Sequence, residues 1–189
     1  MQRCSWANQS ELEKQYHDTE WGLPLHDDQK LFEFICLEGA QAGLSWSTIL
    51  TKREGYRKAF DNFDFHKIAH YNDHKIATLI KNPEIVRNKL KIKSVVTNAQ
   101  TTLKVIEEFG SLDTYLWSFV DHKPITNHWK TANEVPTSTK ISDQMSKDMK
   151  KRGYKFVGTT ICYALMQAIG MVNDHTVDCF RHAECQKLS

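Results

Sequence analysis

Helix-start signals recur along this chain, and strand signals are scarce. Asp27 and Asp28 open an apolar-periodic stretch that runs to about position 41 and is ended by Gly43. Ser45 opens the next, with Ile49, Leu50, Arg53 and Tyr56 along it. Asp64 and Asn72 each open a short helix. Pro83 precedes a long stretch, 84–109, which Gly110 stops, and Ser111 opens another through Trp117 and Phe119. Ser142 opens a helix to about 152, and Thr159 opens one that ends at Gly170. Short polar side chains at these starts accept hydrogen bonds from the orphan N–H groups of a first turn, and glycine lets the chain leave the last one. The pattern predicts an all-α fold of about eight helices. Residues 121–138 hold Pro124 and Pro136 with little periodicity and read as a loop. With 40% apolar residues and no internal repeat, 1–189 reads as a single unit.

No signal-peptide run opens the chain and no later stretch is a clean membrane span, so a soluble, cytoplasmic monomer is expected. Five cysteines in a reducing compartment predict metal ligands or buried thiols rather than disulfides. The net charge of +2 hides an asymmetry, −5 over 1–50 against +7 over 51–189. Basic residues cluster at Lys52, Arg53, Arg57 and Lys58, at Arg87, Lys89, Lys91 and Lys93, and at Lys147, Lys150, Lys151, Arg152 and Lys155. Such clusters suit a polyanion partner, although Lys-rich solvent faces produce them too.

One carboxylate sits where periodicity does not want it. At helical spacing Leu31, Phe34, Ile35 and Ala42 form a stripe, and Glu38 falls in its middle. Either Glu38 pairs with a buried arginine or caps a neighbouring helix, or it faces a pocket. Gly39 and Gly43 follow, so the backbone there can approach another body closely. Leu44, on the Gly43 turn, has the form of a wedge between base steps, and Trp46 that of a stacking surface for an extruded base. Ordinary interhelix packing is the alternative for each taken singly.

A second constellation, SKDMKKRGYKFVGTTICYALMQAIG, places a short hairpin between two helices, with Gly153 and Gly158 bounding it and Thr159 and Thr160 opening the second helix. Turn N–H groups plus a helix N-terminus make an anion site that fits a DNA phosphate, and Lys155 with Lys151 and Arg152 adds counter-charge. A third joins the two ends. Cys4 and His17, then His175 and Cys179, match tetrahedral Zn²⁺, with the i,i+4 pair expected on one face of a helical turn. Such a site has no open position and would be structural. His26, His182 and Cys185 compete as ligands on spacing alone.

The stretches RCSW, YHDTEWG, FEFICLEGAQAGLSWSTIL, KKRGYKFVGTTICYALMQAIG and VNDH resemble the bacterial DNA-3-methyladenine glycosylase I family, from Cys4 to Cys179. The resemblance implies a helix–hairpin–helix DNA glycosylase fold, with the motif at about 142–170 and terminal segments 1–26 and 171–185 clasped by one structural zinc. It implies Cys4, His17, His175 and Cys179 as its ligands. It implies Glu38 as the pocket carboxylate, Trp46 as the aromatic stacked on the base, and Tyr16, Trp6 and Trp21 completing the pocket. Gly43 and Leu44 would enter the gap in the duplex, and the hairpin, 153–158, would hold phosphate. The implied partner is double-stranded DNA containing alkylated adenine, and the implied reaction is release of 3-methyladenine to leave an abasic site. The wider superfamily uses an aspartate shortly after the hairpin. Here Asn173 and Asp174 fall near that place, and the register does not choose between them. Two other readings are a non-catalytic helix–hairpin–helix DNA-binding module and a zinc-stabilised helical interaction protein.

Overall fold

The computed structural model describes residues 1–188. The helices are α1 (Glu11–Thr19), α2 (Asp28–Gln41), α3 (Trp46–Ala59), α4 (Phe65–Ile68), α5 (Asp73–Ile80), α6 (Lys89–Phe109), α7 (Leu112–Trp117), α8 (Lys140–Arg152), α9 (Thr159–Ala168) and α10 (Phe180–Gln186). Two short strands, β1 (Ile125–Thr126) and β2 (Val172–Asn173), pair in parallel. The all-α expectation holds, apart from this two-stranded bridge.

Side-chain caps account for the helix starts. Asp27, Ser45, Asp64, Asn72 and Ser111 each accept from a first-turn N–H at the predicted place. Two helix starts differ from expectation. The long helix begins at Lys89 rather than at 84, because Asn88 caps Leu90 and Lys91, while Asn82 takes the Glu84 N–H into a turn. The 142–152 helix begins earlier, because Thr139 is the cap and Ser142 is the N3 member of a capping box. Periodicity passed over α1, yet Ser10 and Glu13 carried an S-x-x-E signal, and the Ser10 hydroxyl accepts the Glu13 N–H.

α2 runs through the centre of the molecule. It packs against α3, α6, α7 and α9, and every residue from Leu31 to Ala40 is buried. The stripe read from the sequence therefore understates its burial, which extends around the whole helix. Two glutamates go inside with it, Glu33 and Glu38. Gly39 is where α2 meets the 153–158 turn. A Cβ there would lie 3.2 Å from the Phe156 Cβ, so only glycine lets the two come this close without displacement. Beyond the helix, Gly43 adopts φ +77, a left-handed conformation that turns the chain into α3.

The 121–138 stretch is irregular, as expected, but anchored. β1 pairs Ile125 with Val172 and Thr126 with Asn173, directly before the two C-terminal residues of the Cys/His set. The C-terminal segment is thus tied by backbone pairing to the middle of the chain. No described helix is long and apolar enough to cross a membrane.

Candidate base pocket and metal centre

A cavity of about 380 Å³ opens between α1, α2, the start of α3, α9 and the 132–137 segment. Its walls are aromatic. Trp6, Tyr16, Trp21 and Trp46 all line it, and so does Glu38. The expected pocket residues, scattered over forty positions, converge on one hollow. The rings brace one another: Trp6 meets Trp21 edge-on at 5.1 Å, and Tyr16 lies 5.3 Å from Trp46.

The cavity is chemically unfinished. Among the described residues, four buried side-chain polar atoms lack a hydrogen-bond partner: Tyr16 Oη, Glu38 Oε2, Trp46 Nε1 and Arg181 Nε. Three of those four residues line this one cavity. Buried polar groups are ordinarily paired, and three unpaired ones in residues that line an aromatic hollow suit a flat, polar ligand. The buried-ion-pair alternative weighed for Glu38 is realised one and a half turns earlier in α2. Glu33 takes Arg53 Nε at 2.6 Å and Arg57 at 2.8 Å, and Arg53 also reaches Glu20. Glu38 has no such partner, and burial alone pushes its carboxyl up to about 8. Burial, and then the Glu38 charge, also holds the Tyr16 phenol well above its usual range.

The raised carboxyl has a measurable consequence. The unfolded chain loses the Glu38 proton near its ordinary value, and the folded chain keeps it up to about 8. Between these limits the folded state binds more protons, so its stability falls as pH rises. The melting temperature of Glu38→Gln relative to the native protein is expected to climb by several degrees from pH 5 to pH 8.5. A difference independent of pH, measured by calorimetry at constant ionic strength, would refute the raised value.

The structure resolves the Asn173/Asp174 register. Asn173 faces away, donating to His182 O and accepting from the His175 N–H. Asp174 lines the cavity, buried and saturated. Its carboxylate accepts from Asn127 Nδ2 and Trp129 Nε1 at 2.7 Å, from Tyr163 Oη at 2.6 Å and from Gln167 Nε2 at 2.8 Å. Four donors leave no lone pair idle for a proton-transfer role. Asp174 instead ties the 127–129 segment to α9 across the cavity wall. The sequence reading missed Gln41, Tyr163, Gln167 and the 132–137 wall. Tyr163 and Gln167 sit at i,i+4 on α9 and read as ordinary helix, and no periodicity marks the 132–137 segment.

The remaining expected residues divide. Leu44 stands 40% exposed, in the chain between the lining residues Gln41 and Trp46 and beside Gly43, whose Cβ position is open space. Of the hairpin residues, Thr160 reaches the cavity rim. The Gly153 N–H is consumed by Met149 O and Lys150 O, and the Lys155 N–H by Asn98 Oδ1. Thr159 spends its hydroxyl on Asp143 and Ser142. What the turn offers an anion is the start of α9. Gly158 has no side chain to cap it, whereas α1 to α8 all have side-chain caps.

The basic clusters also divide. Arg53 and Arg57 turn inward to Glu33, Arg152 pairs with Glu108 and Asp148, and Lys91 is buried. Lys147, Lys150, Lys151 and Lys155 stay exposed around the turn, and Lys93 joins Lys155 along a shallow hollow.

Behind the pocket, Cys4, His17, His175 and Cys179 come together, all buried, with their ligand atoms within 4.8 Å of one another. Cys179 Sγ lies 3.4 Å from His17 Nε2 and 3.5 Å from His175 Nδ1, and Cys4 Sγ lies 3.6 Å from His175 Nδ1. Tetrahedral zinc bonds to sulfur and imidazole imply S···N edges of about 3.5 Å, so the donor set fits that ion. Each imidazole has an outer partner on its other nitrogen, His17 on Asp18 and His175 on Trp21 O. His26, His182 and Cys185 lie outside the set. One expectation fails: His175 to Cys179 is a turn outside any helix, with the Cys179 N–H bonded to Thr176 O. The His175 N–H is held instead by Asn173 Oδ1, at the end of β2.

Comparison with known proteins agrees with this geometry. Residues 6–182 match the family model for methyladenine glycosylase. The chain is 49% identical to DNA-3-methyladenine glycosylase 1 of Escherichia coli (strain K12), over 95% of its own length and 96% of that protein. It superposes on a crystal structure of 3-methyladenine DNA glycosylase I with a TM-score of 0.92 at 49% identity, covering 96% of this chain and all of that one (100%). A 3-methyladenine DNA glycosylase I variant in complex with 3-methyladenine gives a TM-score of 0.93 at 35% identity, over 96% and 98% of the two chains. An orphaned carboxylate in an aromatic cavity, a capless helix start beside exposed lysines, and a family match along nearly the whole length lead to one assignment: the chain belongs to the methyladenine glycosylase family.

Proposed function

We propose that this protein is a base-excision repair glycosylase that flips an alkylated adenine out of duplex DNA, releases 3-methyladenine by hydrolysis and leaves an abasic site. The observation that carries the reading is the cavity itself, lined by Glu38, Tyr16 and Trp46, each with a buried polar atom that has no partner.

Adenine methylated at N3 is cationic while it is attached to the sugar, and it leaves as a neutral base. Its glycosidic bond is weak, so the enzyme must chiefly extrude the base, hold it and favour the charge that develops on the sugar. Trp46 presents a π face to the cationic ring, worth roughly 1–2 kcal/mol when desolvated. Glu38 accepts from the adenine amino group and opposes the positive charge. Burial holds its carboxyl up at about 8, and a bound cation supplies counter-charge and draws it down. Guanine would turn a carbonyl toward the same carboxylate and is disfavoured. Unmodified adenine has neither the charge nor the weak bond.

On this reading Gly43 and Leu44 enter the gap left by the flipped nucleotide. The segment from about 142 to 170 is a helix–hairpin–helix that takes a phosphate at the α9 start, with Lys155 and its neighbours supplying charge. Cys4, His17, His175 and Cys179 hold one structural Zn²⁺, a closed site that fastens the chain ends behind the pocket. The protein works as a monomer in the cytoplasm.

The decisive assay incubates the full-length protein with methylated duplex DNA and identifies released bases by chromatography. Free 3-methyladenine and intact, abasic strands are expected. Duplex affinity without any base release would replace this reading with the non-catalytic binding module. Absence of salt-dependent duplex affinity would favour the helical interaction protein.

A further inference from the structure

α6 buries polar side chains that the pocket does not use. Lys91 lies in its first turn, where a cation opposes the helix dipole, and it is only 9% exposed. Its Nζ donates to Ala40 O at 2.8 Å and to Ala42 O at 2.6 Å. These carbonyls belong to the C-terminal end of α2, directly after Glu38. The other two carbonyls of that end are bonded within the turn, Gly39 O by the Ala42 N–H and Gln41 O by the Leu44 N–H. Lys91 thus completes the hydrogen bonding of residues 39–42 and places its charge at the negative end of the α2 dipole.

Seven residues on, along the same helix, Asn98 performs the matching task for the hairpin. It donates to Lys155 O at 3.1 Å and accepts the Lys155 N–H at 2.8 Å. The two braced elements touch each other where Phe156, at φ +56, meets Gly39. One helix therefore holds both the turn that carries Leu44 and the turn beside the α9 start.

We propose that Lys91 is a positioning residue for DNA engagement: it fixes the 39–44 turn so that Leu44 is presented to the duplex in register with the hairpin. This rests on the wedge reading of Leu44. Lys91 lines neither the cavity nor the exposed basic surface, so it touches neither base nor phosphate. Its influence passes through two backbone carbonyls. Freed of them, the turn at Gly43, whose Cβ position is open space, is released to move while Glu38, further into α2, stays packed.

The test compares native protein with Lys91→Met, the milder Lys91→Gln, and Leu44→Ala. Two ligands separate the pocket from the wedge: free 3-methyladenine, followed by tryptophan fluorescence, and a duplex containing a tetrahydrofuran abasic analogue. Lys91→Met is expected to weaken abasic-duplex affinity and raise KM for methylated duplex roughly ten- to a hundredfold. Free-base affinity should stay within about twofold of native, with Lys91→Gln intermediate in duplex binding. Leu44→Ala should show the same duplex-selective loss. Native-like duplex binding and KM in Lys91→Met, alongside an impaired Leu44→Ala, would overturn the role of Lys91 alone. Native-like behaviour of Leu44→Ala would instead overturn the wedge reading. Parallel loss of free-base and duplex binding in Lys91→Gln, with a lowered melting temperature, would make Lys91 a purely structural residue and also overturn the proposal.

Discussion

Glu38→Gln is expected to lower kcat/KM for release of 3-methyladenine from methylated duplex about a hundredfold, a loss of the size seen when one preorganised charged partner is removed. The substitution keeps the shape and one acceptor oxygen of the side chain. On the proposed function it removes the charge that would oppose a cationic base, in a cavity with no other unpaired carboxylate among the described residues. The fold should survive, because Glu38 has no protein partner to abandon and the neutral amide is cheaper to bury at neutral pH. Loss of activity should therefore accompany an unchanged or raised melting temperature. That opposite movement distinguishes a ligand-binding carboxylate from a structural one. For comparison, Glu33→Gln should destabilise the protein, since it leaves Arg53 without its buried partner. Native rates in a folded Glu38→Gln protein would remove Glu38 from the mechanism.

The second large effect concerns the chain ends. Freshly purified protein is expected to contain one zinc per chain, and Cys179→Ala to contain none. The variant should melt lower by about 10 °C or more, since the binding energy of a structural zinc is folding energy. The damage should extend into the pocket. Trp21 packs edge-on against His175 at 4.6 Å, Trp6 lies 5.5 Å from His17, and Cys4 itself lines the cavity. Chelation of the native protein should reproduce the variant, read by metal analysis and calorimetry. Native protein free of zinc, or a Cys179→Ala variant that still binds it, would dismiss the clasp.

Much of this architecture was legible before any coordinates. Caps and stops are local devices, so Asp27, Ser45, Asp64, Asn72 and Ser111 announced their helices correctly. Boundaries slipped where a nearby competitor captured the N–H groups, as Asn88 did for α6 and Thr139 for α8. Glu38 stood out because a carboxylate on an apolar stripe violates a short-range pattern. Its role required more than pattern. Glu33, on the same helix and equally buried, proved to be an ion-pair residue, and only the positions of Arg53 and Arg57 distinguish the two. The same holds for the lysines. Lys91 and Lys93 are two residues apart in a single basic cluster, yet one reaches into the protein and the other faces solvent.

By itself, then, the sequence determined most of the helix starts, the Cys and His residue types near each end and the misplaced carboxylate, because these depend on neighbours a few residues away or on side-chain chemistry alone. The tertiary structure decided what those groups meet. It left Glu38, Tyr16 and Trp46 unpaired around one cavity and saturated Asp174 with four donors. It also brought four distant Cys and His donor atoms within 4.8 Å of one another and aimed Lys91 at the end of α2. Pairing and burial are properties of segments brought together from far apart in the chain, and no local spacing encodes which partner arrives.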